Sequence, residues 1–389
     1  MTKRIAFSVL TLLAATTASP STAQEATAQS NARGSLNANQ FICVFDSSVA
    51  QSAVSSETAK AVGRELGQIL HTYRHTIRGF AVRLPASPQG ASTAIQRLQE
   101  NNPKIAQCIP DGITRAAQGR PGGGGGSTGQ STPWGVSRVG GPGNGSSLLG
   151  KAWVIDSGID LDHPDLNVDT VNDRDFIDSD DVADDGYGHG THVAGIIGAK
   201  NNTIGVVGVA AGVTVVPIRV LNNSGVGPDS GVIAGIDYAA NLALPGHVIN
   251  LSLVADAVDP VMDAAVQGAA AKGILVTIAA GNNGANAANY SPGRTGGSVD
   301  YPGIYTVSAF DSRDTWARFS NYGNPPIKYA EPGVDIRSTD KNGGYSLKSG
   351  TSMAAPHLAG ILLLNAAGPS DGGNVKRDPD GTADKIGIR

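Results

Sequence analysis

Three side chains in this sequence have the types and positions from which nucleophilic catalysis can be built. Asp156 ends the apolar run AWVID, His189 opens the helical pattern GTHVAGIIG, and Ser352 opens SMAAPHLAGILLL after KSGT. A serine hydroxyl is a poor nucleophile until an imidazole takes its proton, and the imidazole needs a carboxylate to fix its tautomer and steady the cation. The stretch DGYGHGTHVAGIIG holds a second histidine, His192, three residues after His189. On one helical turn such a pair could instead bind a metal, although no Glu lies between the two as in H-E-x-x-H. Spacing alone leaves both readings open.

Such residues need a framework, and from Gly129 onward the sequence supplies one. KAWVID, VTVVPIRVL, HVINLSL and GILVTIAAG are nearly continuous apolar runs of strand length, as strands covered on both faces require. Helical patterns fall between them, GTHVAGIIGA, GVIAGIDYAANLA and PVMDAAVQGAAAKG. This alternation predicts an α/β fold with a parallel sheet and helices on both faces, its sites gathered at the carboxyl ends of the strands. Before it lies a smaller α+β unit: a strand in QFICVFD, an amphipathic helix in SETAKAVGRELGQILHTY opened by a Ser or Thr cap, a strand in RGFAVRLP, a helix in ASTAIQRLQENNP and a last strand in KIAQCIPDG. Between the two units, GRPGGGGGSTG has no side chains to pack and reads as a linker open to proteolysis.

The chain has 389 residues, enough for one large domain and a smaller one, and a formal net charge of -4 that gives no electrostatic reason to expect nucleic acid. Its start, MTKRIAFSVLTLLAATTASPSTAQ, has the basic, apolar and small-residue parts of a secretory signal, too short for a membrane anchor, with cleavage expected near Ala23. Cys43 and Cys108 are the two cysteines, so the scaffold is not disulfide-rich.

The chain order Asp, His, Ser, set in VIDSGID, GHGTHVAG and SGTSMAAPH, resembles the subtilisin family of serine peptidases over about residues 130 to 367. AAGNNGANAANYSP is similar to the proteinase K branch, whereas NNTIGVVGVA and GQSTPWGVSRV are similar to the bacterial subtilisins. The resemblance implies a three-layer fold, Ser352 as nucleophile, His189 as general base, Asp156 as its orienter and Asn282 as oxyanion donor. His192, His163 and His357 then match structural positions. It also implies that Ser252, Leu253 and Val254 pair with an extended substrate, that Gly281 borders the same cleft, and that Val254 and Ala255, where relatives carry glycines, narrow the P1 entrance. Asp300 falls where relatives have a small residue at the base of the P1 pocket, and Asp229 where an aromatic borders P4. The expectation is a basic P1 and, more weakly, a basic P4, unless the long loop 284–299 carries Asp300 out of the pocket.

By the same resemblance Gln130, Asp165 and Asn202, with the backbone oxygens of Lys200, Ile204 and Val206, match a structural calcium site. A second cation site looks lost to the ammonium of Lys328, so one Ca2+ is expected. Residues 39–117 resemble the family's inhibitory propeptide, in which the first and last strands are neighbours. Cys43 and Cys108 could then be joined if their side chains share a face. The organisation implied is a signal peptide at 1–23, a polar linker at 24–38, the propeptide at 39–117, a Gly-rich linker at 118–128, the peptidase at 129–375 and a polar tail at 376–389. The expected product is a secreted, monomeric peptidase of protein and peptide substrates, released from its own propeptide by a cut expected near Gly129.

Overall fold

The computed structural model describes residues 39–85, 91–117, 129–178, 180–365 and 367–389. The signal, the polar linker at 24–38 and the Gly-rich linker at 118–128 lie outside the described residues. Everything described belongs to one unit, Asn37–Arg389.

The apolar runs form the centre of a large sheet. Strands β6 (Ala152–Asp156), β7 (Thr214–Arg219), β9 (Val248–Leu251), β11 (Leu275–Ala279), β12 (Ile304–Phe310) and β13 (Ile327–Pro332) lie in the order β13-β12-β11-β9-β6-β7, every neighbouring pair parallel. All five residues of β6 and all seven of β12 are buried, which is why no polar alternation marks them in the sequence. Helices α4 (His189–Gly198) and α7 (Thr351–Leu364) share one core with one face of the sheet, while α5 (Asp229–Leu242) and α6 (Pro260–Ala270) share another with the opposite face. This is the three-layer arrangement expected.

The smaller unit is a four-stranded antiparallel sheet in the order β2-β3-β1-β4, built from β1 (Gln40–Phe45), β2 (Gln68–Tyr73), β3 (Gly79–Arg83) and β4 (Ile105–Pro110). Its helices are α1 (Val54–Arg64) and α2 (Ala91–Asn101), and a short helix, α3 (Trp134–Arg138), precedes β6 in the larger unit. One face packs beneath these helices; the other, through Ile42, Tyr73, Ile77 and Ala81, joins the core of α5 and α6. The long helix expected from SETAKAVGRELGQILHTY is a helix followed by a strand. Val54, Thr58, Ala61 and Val62 give α1 its buried stripe, Leu66 turns left-handed at φ 54°, and QILHTY becomes β2. The helical spacing of Leu66, Ile69 and Leu70 carried the sequence reading past a break that pairing with β3 enforces. Nor does a Ser or Thr cap this helix: it follows a short 3-10 turn, and its cap residue is Ala53.

Cys43 and Cys108 are directly opposed in the β1–β4 register, so their side chains leave the sheet on the same face, and they are joined in a disulfide with Cα atoms 4.1 Å apart. The C-terminal residues are not a separate tail. Strand β15 (Lys385–Ile388) pairs parallel to β13 with Ile386 fully buried, and β14 (Ser370–Asn374) pairs on its outer side. Two apolar residues, Ile386 and Ile388, in an otherwise polar segment were too little pattern to reveal a strand.

Candidate active site

Asp156 ends β6 and His189 begins α4, and the parallel sheet brings both to its carboxyl edge. His189 Nδ1 lies 2.8 Å from Asp156 Oδ1 and 3.0 Å from Oδ2, and neither side chain is exposed to solvent. The histidine is held from behind. Asp185 accepts bonds from Gly188 N, Thr191 N and Thr191 Oγ1, capping the helix start from outside the helix, while Lys348 Nζ donates to the Gly188 carbonyl at 2.5 Å. Burial pushes the Asp185 carboxyl up and the Lys348 ammonium down from their usual ranges. His189 Nε2 is buried without a hydrogen-bond partner among the described residues, which leaves that nitrogen free to take a proton.

Ser352 is the second residue of α7, and Pro356 stands four residues on, where its missing N–H leaves the Ser352 carbonyl unclaimed by the helix. Ser252 Oγ donates to that carbonyl at 2.9 Å and ties the helix start to the end of β9. Asn282 follows β11; its Oδ1 accepts Thr351 N at 2.9 Å and Thr351 Oγ1 at 3.0 Å, so its Nδ2 faces the same point as the serine. At that point sits the carbonyl of Ala117. It accepts Asn282 Nδ2 and Ser352 Oγ, while Ser352 Oγ also lies 3.0 Å from the Ser252 carbonyl.

The segment before Ala117 lies in the cleft as a strand. β5 (Ile113–Ala116) pairs antiparallel with β8 (Val226–Pro228) on one side and β10 (Leu253–Ala255) on the other, and Ala117 N donates to the Ser252 carbonyl at 3.0 Å. This is strand addition to two open edges, which binds main chain without reading sequence. It is the Ala117 carbonyl, twelve residues before the expected Gly129, that meets Ser352. A segment with no special composition gave no signal of this; the register of β5 between two edges sets it.

Residues 153–370 match the profile of the Subtilase family. The chain belongs to that family. Over 243 residues it is 40% identical to M-protease of Shouchella clausii, covering 60% of each chain, and to Subtilisin Savinase of Lederbergia lenta, covering 60% of this chain and 84% of that one. It is 43% identical over 213 residues to Alkaline serine exoprotease A of Vibrio alginolyticus, covering 55% of this chain and 38% of that one. The crystal structure of a cold adapted subtilisin-like serine proteinase superposes with a TM-score of 0.58 at 35% identity, over 65% of this chain and 96% of that one.

In this subtilase, the other residues expected at the site divide. Ser252, Leu253 and Val254 meet the bound segment, Leu253 paired with Ala116 and Val254 with Arg115. Asp229 opens α5, is 4% exposed, and accepts at 2.6 Å the Oγ1 of Thr114, three residues before Ala117 in the bound segment. Burial first, and then the charge of Asp259, hold its carboxyl well above the usual range. Gly281 takes φ 100° and its N–H reaches Thr351 Oγ1 at 3.1 Å, so it shapes the approach to Asn282. A Cβ there would stand 2.4 Å from Asn321 Nδ2.

Asp300 does not line the cavity beside Ala117. It is exposed, in a depression with Ala270, Gly273, Leu275 and Tyr301, because it lies just before β12, at the amino end of a parallel strand, whereas the cleft is at the carboxyl ends. That cavity, of about 280 Å³ beside the bound segment, is lined by Val254, Ala255, Asp256, Asn282, Asn283 and Tyr290 together with Arg115, Ala116 and Ala117. Tyr290, Asn283 and Asp256 were not singled out from the sequence, and NNGANAANY carried no spacing that would have marked them.

The calcium residues also converge. Gln130 Nε2 donates to the carbonyl of Lys200 at 2.8 Å, to Asn202 Oδ1 at 3.3 Å and to the carbonyl of Val206 at 3.3 Å. Asp165, fully buried, accepts Asn202 Nδ2 at 2.7 Å, Val206 N at 3.1 Å and Tyr345 Oη at 3.2 Å. The three oxygens turned onto the Gln130 amide nitrogen are part of the roughly six to eight that a calcium ion takes, and the Gln130 side-chain oxygen and the Asp165 carboxylate are further oxygens of the kind it needs. Ile204 contributes an N–H to Asn202 Oδ1 at 2.8 Å. Lys328 Nζ donates to the Pro302 carbonyl at 2.7 Å and stands 4.2 Å from the centre of the Tyr305 ring. His192 Nε2 lies 3.2 Å from the Ser346 carbonyl and His163 Nε2 3.1 Å from that of Gly344, in packing.

Proposed function

We propose that the protein is a secreted serine endopeptidase, made as a zymogen that cuts itself after Ala117. The observation that carries this reading is the Ala117 carbonyl, set between Asn282 Nδ2 and Ser352 Oγ at the end of a strand added to the cleft. Ser352 Oγ attacks the Ala117 carbonyl carbon as its proton passes to His189 Nε2, and Asp156 holds the resulting imidazolium. The oxyanion forms where Asn282 Nδ2 already points, near the positive end of α7. His189 then gives the proton to the Gln118 nitrogen, the 117–118 bond breaks, and water hydrolyses the acyl-enzyme by the reverse use of the same base. The cut unit, residues 39–117, stays as an inhibitor through β5 and the apolar face it shares with α5 and α6, and the Cys43–Cys108 disulfide leaves with it.

The purified protein is expected to show two masses separated between Ala117 and Gln118, and a fluorophosphonate is expected to label Ser352 once the smaller fragment is removed. A chain that remains whole and unlabelled would overturn the reading. After release, Asp229 favours Lys or Arg at P4, because a basic side chain lets a buried carboxyl ionise with a partner.

Calcium held by Gln130, Asp165, Asn202 and the carbonyls of Lys200 and Val206 cross-links the start of the peptidase unit to the 200–206 loop. Because Gln130 is docked there while Ala117 occupies the cleft, this cross-link is available before the chain is cut. In Ser352→Ala protein, which cannot digest itself, adding millimolar calcium is expected to raise the melting temperature by about 10 °C, and Asn202→Ala to abolish the rise. An unchanged melting temperature would reject the site.

A further inference from the structure

We infer that Asp256 makes the freed cleft selective for arginine at P3, two residues before the residue whose carbonyl is attacked. This rests on the peptidase reading above. In the uncut chain the P3 residue is Arg115, and its guanidinium meets Asp256 in a fork: Nε lies 2.9 Å from Oδ1 and 3.2 Å from Oδ2, and Nη2 lies 3.1 Å from Oδ2. The contact is placed by the backbone. Arg115 is paired in register with Val254, and Asp256 N donates to the carbonyl of Ile113 at 2.8 Å, so the same residue grips the bound strand by its main chain and its side chain.

Asp256 directly follows β10, the edge that an extended substrate pairs with, and continues its pairing by one residue. A substrate strand entering in the register of residues 113–117 therefore puts its P3 side chain where Arg115 now lies. The two partners are about half exposed, 50% and 45%, so the pair is screened by salt and adds selectivity without becoming a requirement. Planarity matters: two parallel N–H···O bonds to one carboxylate favour a guanidinium over an ammonium. The P1 residue supplies little by comparison, because Ala117 is too small to fill the cavity of about 280 Å³ beside it. Once residues 39–117 leave, Asp256 loses this partner, and the cleft keeps an acidic rim opposite P3. The substrate class indicated is extended polypeptide carrying arginine two residues before the cleaved one.

The test compares three chromogenic peptides with the sequence of residues 113–117: one with arginine at P3, one with citrulline, which has nearly the same shape without the charge, and one with glutamate. The processed enzyme is expected to cut the arginine peptide with a kcat/KM higher by about three- to fivefold at low salt, the difference lying mainly in KM. In 1 M NaCl the gap is expected to close to less than about twofold. Asp256→Asn is expected to close it at both salt concentrations, and Asp256→Lys to reverse the preference toward a glutamate P3 peptide. Equal hydrolysis of the arginine and citrulline peptides by the wild type overturns the inference and leaves the peptidase reading standing. Hydrolysis of neither overturns both.

Discussion

Ser352→Ala is expected to leave the chain uncut between Ala117 and Gln118 and to lower peptide hydrolysis by on the order of 10⁶-fold, the loss found for the corresponding serine in a subtilisin. The substitution removes one oxygen from a site whose other parts do not depend on it. Asn282 is held by Thr351, β5 remains paired on both edges, and the Ser252 hydroxyl still has the Ser352 backbone carbonyl. The altered chain should therefore fold, keep its propeptide docked, and show a single mass for the joined units. Its residual activity would report what oxyanion stabilisation and strand pairing contribute without a nucleophile. Cleavage of purified Ser352→Ala protein at the same bond would show that another protease performs the processing and that Ser352 is not its agent.

Asp156→Asn is expected to cost on the order of 10⁴-fold in kcat near neutral pH with little change in fold or in KM. The carboxylate sits within 3.0 Å of His189 Nδ1 by either oxygen and also accepts Ser157 N at 2.7 Å, in a site closed to water. An amide of the same shape fits this space. Its NH2, turned toward the ring, would stabilise the tautomer whose Nδ1 accepts a bond and whose Nε2 carries the proton. In that tautomer His189 cannot take the proton of Ser352. Self-processing should slow in the same proportion, so the precursor accumulates. A drop of less than about tenfold in kcat would mean that the imidazole is oriented by other contacts, of which the Asp185 and Lys348 clamp on Gly188 is the nearest.

Those two residues show the limit of reading the chain alone. Asp156, His189 and Ser352 were legible because each ends or begins an element, and the short motifs around them are constrained by the backbone turns that expose them. Asp185 and Lys348, which hold the histidine loop, lie 163 positions apart in the numbering and belong to no spacing a sequence shows. Asp256 is similar: it becomes a binding group only because β10 is an open edge and Arg115 arrives beside it. For Asp300 the sequence left two places open, in a pocket or carried away by the 284–299 loop, and the direction of β12 puts it at the other end of the sheet from the cleft.

The sequence by itself pointed to the parallel α/β core, to Asp156, His189 and Ser352 as candidates at element ends, and to a folded unit ahead of them. It could do so because those features are local: an apolar run buried on both faces, or a functional residue at an element's end, is written in consecutive positions. Tertiary structure decided which carbonyl occupies the cleft, which carboxylates face the bound segment, and that Cys43 meets Cys108. It also decided that the last residues complete the sheet. Each of these depends on strand register and direction, and a shift of one residue along a strand turns every side chain to the other face without altering the composition that a sequence displays.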